Sequence, residues 1–303
     1  MNQINESKDF IYRKLKITDY NEFKNLFYSC FHRNVSFEFF KERYFNNKLS
    51  FCYGIFKSSR LIANVGLVSL ILNNKNKEKI LSRHSSMVLK KYRNSGLFSN
   101  LSKKVISTIS KKIRIIAMWP NKNNLSNFSI EKKYIIKKKY FLYKTSLKTT
   151  SLKKLPNYNI DELKKFKKFI QSNNSFFLKN FTYFKKRYLL YKKNEYFINK
   201  FEKKQLKSFF ILKRNKDKSG LNYVVLDHFG SEKIKSIHLK YLIETQDKLI
   251  FLSKNKINKT NIKILDFLYF KIGLIKKFTK KQQQSILLNQ DIYLGDTDIF
   301  ITY

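Results

Sequence analysis

The first half of the chain alternates short apolar strands with amphipathic helices. Apolar residues recur every three or four positions in 22–31 and 97–112, which predicts helices with one buried face. The apolar run 51–72 is divided by the polar residues 57–59, which predicts a hairpin of two strands. Helices are predicted at 22–31, 36–45, 97–112 and 123–134, and strands at 10–17, 51–72, 80–89, 113–120 and 138–147.

The second half repeats this mixture of strands and helices. The charged segment 152–165 contains Pro156 and is predicted to join two domains, 1–150 and 151–303. The run 260–273 fits either a helix or a strand. Beyond the joint, helices are predicted at 176–191 and 236–247, and strands at 196–230, 248–254 and 285–300. The order predicts an α/β (α+β) fold, a mixed sheet with flanking helices, possibly duplicated.

The charge of the chain changes this picture little. The formal net charge is +43, which is typical of nucleic-acid-binding proteins, but lysine supplies nearly all of it. Arginine, whose planar guanidinium binds phosphate and guanine in bidentate fashion, occurs only nine times. A solvated lysine surface with weak polyanion binding is therefore our first interpretation, and a basic nucleic-acid-binding protein stays open as the alternative.

Cysteine content and apolar segments exclude other classes. Cys30 and Cys52 form no CxxC motif, which argues against a zinc site or a disulfide framework. The longest apolar stretch, 61–72, is shorter than the roughly 20 residues that span a bilayer. The polar N-terminal residues do not resemble a signal peptide. We therefore expect a soluble cytoplasmic protein without a bound metal.

The stretch 91–96, Lys-Tyr-Arg-Asn-Ser-Gly, joins a predicted strand to a predicted helix. Free amide N–H groups and the positive end of the helix dipole meet at such a turn, so a phosphate group fits there. Gly96 would let the backbone approach the anion, and Arg93 could add a charge-assisted contact. An ordinary turn relieved by glycine is the alternative. The stretch is neither a Walker loop nor a dinucleotide fingerprint.

The same stretch resembles the acetyl-CoA loop of the GCN5-related N-acetyltransferase (GNAT) family. That family has Arg/Gln-x-x-Gly-x-Gly/Ala here, and this chain has Arg93-Asn94-Ser95-Gly96-Leu97-Phe98, with Phe98 replacing the second small residue. Trp119-Pro120-Asn121 is similar to a motif that follows the family's fifth strand. The resemblance covers about half the chain and implies a GNAT-like fold that transfers an acyl group from acetyl-CoA, or another acyl-CoA, to an amine.

The resemblance also implies roles for individual residues. The family's usual glutamate base and thiolate-protonating tyrosine are missing. His84, whose residue type is suited to proton transfer near neutral pH, is the candidate base and is equally well explained as structural; Ser129 is the candidate acid, unless a tyrosine from elsewhere serves or no acid is used. The implied acyl-CoA contacts are Met87, Val88, Leu89, Tyr92, Arg93, Asn94, Ser95, Gly96, Leu97, Phe98 and Asn124.

The second half resembles a degenerate copy of the same fold, without a glycine-containing loop after a strand. We expect it to cover the first half and shape the acceptor pocket. Asp227, Asp296 and Asp298 are candidate substrate-binding residues, and the tail 295–298 resembles acyltransferases of surface-polysaccharide biosynthesis. A small acceptor amine, possibly an amino sugar, is the implied substrate. A non-catalytic acetyltransferase-like scaffold is the remaining alternative.

Overall fold

The computed structural model describes most of the chain, with gaps between elements. Described residues are 10–46, 49–72, 77–109, 113, 115–119, 134–145, 157–170, 179–189, 195–217, 220–245, 248–253, 257 and 262–274. No helix in these ranges has the length and apolar character needed to cross a membrane. Within the same residues, no group of three or more His, Cys, Asp or Glu side chains is placed to hold a metal ion.

The first half contains the predicted alternation of strands and helices. Its elements are β1 (Phe10–Lys14), α1 (Tyr20–Phe31), α2 (Phe37–Tyr44), β2 (Phe51–Lys57), β3 (Arg60–Ile71), β4 (Lys79–Val88), α3 (Leu97–Ile109), β5 (Ile115–Met118) and β6 (Tyr134–Thr145). Helix α2 begins after Ser36, whose side chain accepts a hydrogen bond from the Phe39 amide. In α3, Leu97, Leu101, Val105 and Ile109 are all buried, as their spacing of four predicts.

The second half adds six strands and two helices. They are β7 (Asn157–Asn159), α4 (Phe181–Phe184), β8 (Tyr196–Lys203), β9 (Leu206–Asp217), β10 (Gly220–Gly230), α5 (Lys235–Thr245), β11 (Leu249–Ser253) and β12 (Ile262–Leu274). The run 260–273, which fitted helix or strand, is strand β12. The predicted helix at 176–191 is only one turn of α-helix, continued by a π-helical turn to Leu189.

The twelve strands of the described residues form one sheet, and its order is symmetric about its centre. The order is β1-β2-β3-β4-β5-β12-β6-β11-β10-β9-β8-β7. β4 and β5 are parallel, as are β10 and β11, and an α-helix connects each pair. β12 is antiparallel to β5, and β6 is antiparallel to β11. Each half thus contributes five strands in equivalent order, which is the mixed-sheet architecture that the sequence predicts, arranged as a duplication would arrange it.

The two central strands are exchanged between the halves. β12, from the end of the described chain, pairs with β5 and fills the place next to it in the first half. β6, from the first half, pairs with β11 in the second. β6 and β12 also pair with each other along most of their length. The boundary predicted at 150 therefore divides the sequence, but one strand from each side of it pairs with a strand of the other half.

The segment predicted as a charged joint is packed into the core. Residues 160–169 form a 3₁₀ helix whose Ile160, Leu163 and Phe166 are buried against second-half strands. The helix begins with a capping box in which Asn159 and Glu162 exchange hydrogen bonds with the backbone. Its lysines lie on the exposed face, so the charge marked one side of a helix and not a linker.

Candidate active site

The loop between β4 and α3 has the conformation that only small residues or asparagine adopt readily. Asn94 and Gly96 both have positive φ, 65° and 79°. A Cβ added to Gly96 would meet no atom within 4 Å, so space lies open in front of the backbone there. The Ser95 hydroxyl donates to the Tyr92 carbonyl over 2.7 Å and fixes the turn.

Backbone donors at this loop are unoccupied. The first hydrogen bond of α3 runs from the Asn100 amide to the Gly96 carbonyl at 3.1 Å, which makes Gly96 the N-cap. Among the described residues, the hydrogen bonds of the loop and of the first helical turn leave the amides of 94–99 without acceptors. These amides lie at the positive end of a helix of 13 residues, where hydrogen bonding and the helix dipole both favour an anion.

The parallel strands β4 and β5 diverge just before this loop. They pair over only three positions, Leu81 to Arg83 against Ile116 to Met118. β4 then continues to Val88, while β5 ends at Met118. The described strands leave the β5 side of residues 84–88 unpaired, and this opening, which we call the splay, ends at the loop 90–96.

The rim of the splay is tied to the loop by Arg93. Its Nε donates to the Val88 carbonyl at 3.2 Å, and the Cys30 thiol, 3.5 Å away, donates to the same oxygen. Burial raises the pKa of the Cys30 thiol, so it stays protonated and donates. Arg93 itself is exposed, and Lys90 and Lys91 beside it are also exposed, so the mouth of the splay is positively charged. Arg93, the residue predicted to contact a phosphate, thus also makes a hydrogen bond within the protein.

His84 lies on β4 beside the splay, on the face of the sheet that carries α2. It is directly opposite Gly66 of β3, and the ring of Tyr44 covers Gly66 so closely that an added Cβ would lie 2.7 Å from the ring. The Tyr44 hydroxyl is 2.7 Å from the Ser85 hydroxyl. His84 is 7% exposed, so its predicted role as a base requires a proton path through its neighbours.

Sequence reasoning missed two polar residues beside His84. Tyr44 from α2 and Asn64 from β3 are buried and both contact Ser85: the Asn64 side-chain amide donates to the Ser85 carbonyl at 2.9 Å. The only local signal was an asparagine inside the apolar run 61–72. No local pattern indicated Tyr44, because it occupies an ordinary apolar position of its helix.

Several predicted site residues cannot be placed in this geometry. Asn124, Ser129, Asp296 and Asp298 lie outside the described residues. Met87 and Leu89 are buried in the first-half core, and their contribution to the splay is that of their backbone. Phe98 packs near Arg83, whose guanidinium carbon is 5.5 Å from the ring centroid. The bulky residue at the second small position is therefore used for packing under the loop.

Asp227, a candidate substrate-binding residue, and the next residue, His228, point to opposite faces of β10. The Asp227 carboxylate is fully buried; it pairs with the Lys179 ammonium and accepts from the Tyr188 hydroxyl. Burial, followed by the charge of Asp227, raises the pKa of Tyr188 well above its usual value, so the phenol remains a donor. A direct contact of Asp227 with substrate would require this ion pair to open.

His228 belongs to a second buried polar chain. The Ser208 hydroxyl is 2.9 Å from His228 Nε2 and 2.9 Å from His238 Nδ1, and His228 Nδ1 is 3.2 Å from a Glu232 carboxylate oxygen. His238 also contacts Asn199 Oδ1 at 2.8 Å. Burial, and then the charge of His228, lowers the pKa of His238 to about 3. The second-half polar groups therefore stabilise its interior.

The second half does have a glycine where β10 ends, although the sequence indicated no counterpart of the first loop. Gly230 has φ 96°, but a Cβ there would lie 2.6 Å from the Lys207 carbonyl oxygen. The Ser231 amide donates to that same oxygen at 2.7 Å. The space in front of this glycine is thus filled by backbone, unlike that in front of Gly96.

Comparison with known families decides what the first half is. Residues 11–133 match the family model described as "Acetyltransferase (GNAT) domain". This part of the chain is a GNAT acetyltransferase domain. The match includes β1 to β5, the loop 90–96 and the splay, so acyl transfer is the chemistry of this half. The resemblance drawn from Arg93 to Phe98 is confirmed. Among proteins with curated descriptions, none matches the sequence significantly.

Solved structures show the same fold over most of the chain. A GCN5-related N-acetyltransferase from Anabaena variabilis has 12% identity and a TM-score of 0.65. A probable N-acyltransferase from Enterococcus faecalis has 11% identity and a TM-score of 0.60, and Eis1 from Mycobacterium abscessus has 10% and 0.57. Each likeness covers 88% of this chain and 73% of the other. The shared fold therefore includes both halves of the twelve-stranded sheet.

Proposed function

We propose that the protein transfers an acetyl group from acetyl-CoA to the amine of a small molecule. The observation that carries this proposal is the row of unoccupied amides at the open Gly96 loop, at the end of the splay. The CoA pyrophosphate would bind those amides, with the basic residues at the mouth of the splay nearby. The pantetheine arm would lie between β4 and β5 and pair with the backbone of 87–89.

The acceptor amine must lose a proton before or as it attacks the thioester carbonyl. His84 is the titratable group beside the splay, and the Tyr44 and Ser85 hydroxyls beside it offer a hydrogen-bonded path for the proton. A backbone amide in the splay would stabilise the oxyanion, and the CoA thiolate leaves as the new amide forms. An amino sugar is our narrower proposal for the acceptor, and it rests on the sequence of the tail 295–298.

The second half is proposed to be a copy of the same fold that has lost acyl-CoA binding. Its strand order, its parallel pair β10–β11 and its helix α5 repeat the first half. At Gly230 the Lys207 carbonyl closes the space that is open in front of Gly96. Its role would be to complete the sheet and form part of the acceptor pocket.

Calorimetric titration with acetyl-CoA tests this function directly. We expect saturable binding to one site that persists at 0.3 M salt and is lost in Gly96→Glu, because the new carboxylate repels the pyrophosphate and strains the positive φ. Ser107→Glu, an equal change of charge on the exposed far turn of α3, is the matched control and should bind normally. Binding that salt abolishes equally in all three proteins would favour the polyanion-binding alternative.

A further inference from the structure

β4 contains a bulge next to the splay, and the bulge is unusual in its residues. His84 is opposite Gly66 and Met87 is opposite Asn64, so Ser85 and Ser86 together oppose the single residue Val65. Ser85 has φ 43°, a left-handed conformation that costs a non-glycine residue free energy. A strained serine persists only where its surroundings hold it in place.

Two buried side chains hold Ser85. Asn64 donates to its carbonyl at 2.9 Å, and Tyr44 is 2.7 Å from its hydroxyl. Asn64 is fully buried, and its Oδ1 has no hydrogen-bond partner among the described residues. A buried oxygen without a hydrogen bond lowers the stability of the fold. The bond from Asn64 to Ser85 offsets that loss. A bulge with two dedicated supports is a functional feature.

The bulge decides which backbone groups face the splay. The Leu89 amide donates to the Ile62 carbonyl of β3, and the bond from Arg93 to the Val88 carbonyl lies on the other side of the strand. After the bulge, odd-numbered residues therefore face β3 and Val88 faces the splay. Before the bulge, Glu78 bonds Leu72 of β3, so the even-numbered residues face β3 there. Without the extra residue, Val88 would turn its amide towards β3.

We propose that Asn64 and Tyr44 are positioning residues that hold the bulge and thereby present the Val88 amide to acyl-CoA. The N–H of Val88 donates a hydrogen bond to a carbonyl oxygen of the acyl-CoA arm in the splay. The inference rests on the proposed acetyl-CoA binding and adds to it the residues that set the geometry of the β4 rim. Neither Asn64 nor Tyr44 needs to touch the acyl-CoA.

Binding measurements on a set of variants test whether Asn64 and Tyr44 hold the bulge; we call these two side chains the clamp. In the full-length protein, Asn64→Ala and Tyr44→Phe are expected to weaken acetyl-CoA binding about five- to tenfold, the effect of one misplaced hydrogen bond. Ser85→Gly in the Asn64→Ala background should restore most of the loss, because glycine adopts the left-handed conformation without support. Calorimetry gives the affinities, which do not depend on the proton path proposed through the Tyr44 and Ser85 hydroxyls.

Two controls separate positioning from general destabilisation. Ser50→Ala removes a different buried side chain-to-backbone bond in the same sheet, from the Ser69 amide, and should leave affinity unchanged. Ser59→Gly relieves a positive φ in the β2–β3 turn and should restore nothing in the Asn64→Ala background. Equal losses in Ser50→Ala, or rescue by Ser59→Gly, would overturn the proposal.

The Val88 amide can be observed directly. The sequence has seven valines, so [¹⁵N]valine labelling gives a simple spectrum, and Val88→Ile assigns the resonance. Acetyl-CoA should shift this resonance in the wild type and in the rescued double variant, but not in Asn64→Ala. A wild type that binds acetyl-CoA without shifting Val88 would refute the clamp alone. A wild type that binds no acetyl-CoA would refute the proposed function as well.

Discussion

Replacing Asp227 with alanine is expected to destabilise the whole protein without touching a ligand site. The carboxylate and the Lys179 ammonium are both fully buried, and Tyr188 donates to the second oxygen. Removing one partner leaves an unpaired buried charge, which costs about 3–5 kcal/mol. At about 2–4 °C per kcal/mol, the Tm should fall by about 6–20 °C.

A compensating variant makes the argument quantitative. Lys179→Met combined with Asp227→Leu removes both charges and fills the space with apolar groups among Phe184 and Phe229. Such replacements of buried ion pairs are often neutral, so the double variant should recover most of the lost stability. Calorimetric unfolding of the single and double variants gives the comparison, and acetyl-CoA titration shows that the first-half site is intact.

The opposite result would support the role that the sequence suggested. If Asp227→Ala unfolds within about 2 °C of the wild type but loses turnover at saturating acetyl-CoA, the carboxylate binds the acceptor and the buried ion pair opens during catalysis. If the double variant is as unstable as the single one, lost packing and not the orphaned ammonium dominates the cost.

Three further predictions address the sheet and the buried polar groups. Deleting residues 262–303 should leave β5 and β6 without their shared partner and give an insoluble protein, measured by soluble yield. Gly66→Ala should cost about 1–3 kcal/mol in denaturant titration, because its methyl group would overlap Tyr44. Burial lowers the pKa of His238 to about 3, so between about pH 3 and pH 6.5 the unfolded chain binds one more proton than the folded protein. The free energy of unfolding should therefore be highest above about pH 6.5 and fall towards pH 3 by up to about 1.4 kcal/mol per pH unit. His238→Asn should reduce this slope.

Local patterns in the sequence predicted the first half well. The hairpin turn at 57–59, the helix at 36–45 and the apolar face of α3 each depend on neighbours within a few positions, and each is where the pattern puts it. The glycine loop was predictable for the same reason, since strand, turn and helix follow one another directly. These features include the loop to which we assign acyl-CoA binding.

Features that depend on distant pairing were not predictable. β12 reads as an isolated run that fits helix or strand, and only its pairing with β5, about 150 positions earlier in the chain, defines it. Asn64 and Tyr44 meet Ser85 because of a register shift that no local pattern encodes. The burial of Lys179 was not predictable, because nothing in the local sequence distinguishes it from the other lysines. Only its ion pair with Asp227 does so.

Two glycines with positive φ differ in a way that fits our proposal that one half binds acyl-CoA and the other does not. Gly96 lies in the loop after the bulged strand β4, and Gly230 is the last residue of the bulged strand β10; each precedes a helix. At Gly230 the Lys207 carbonyl occupies the near space and also accepts the Ser231 amide, so both the space and a donor are used within the protein. At Gly96 the space is open and the amides after it are unoccupied. In our proposal, a ligand phosphate accepts hydrogen bonds from the amides after Gly96, as the Lys207 carbonyl of β9 accepts one from the Ser231 amide, so the halves differ in whether an anion or β9 satisfies the donors.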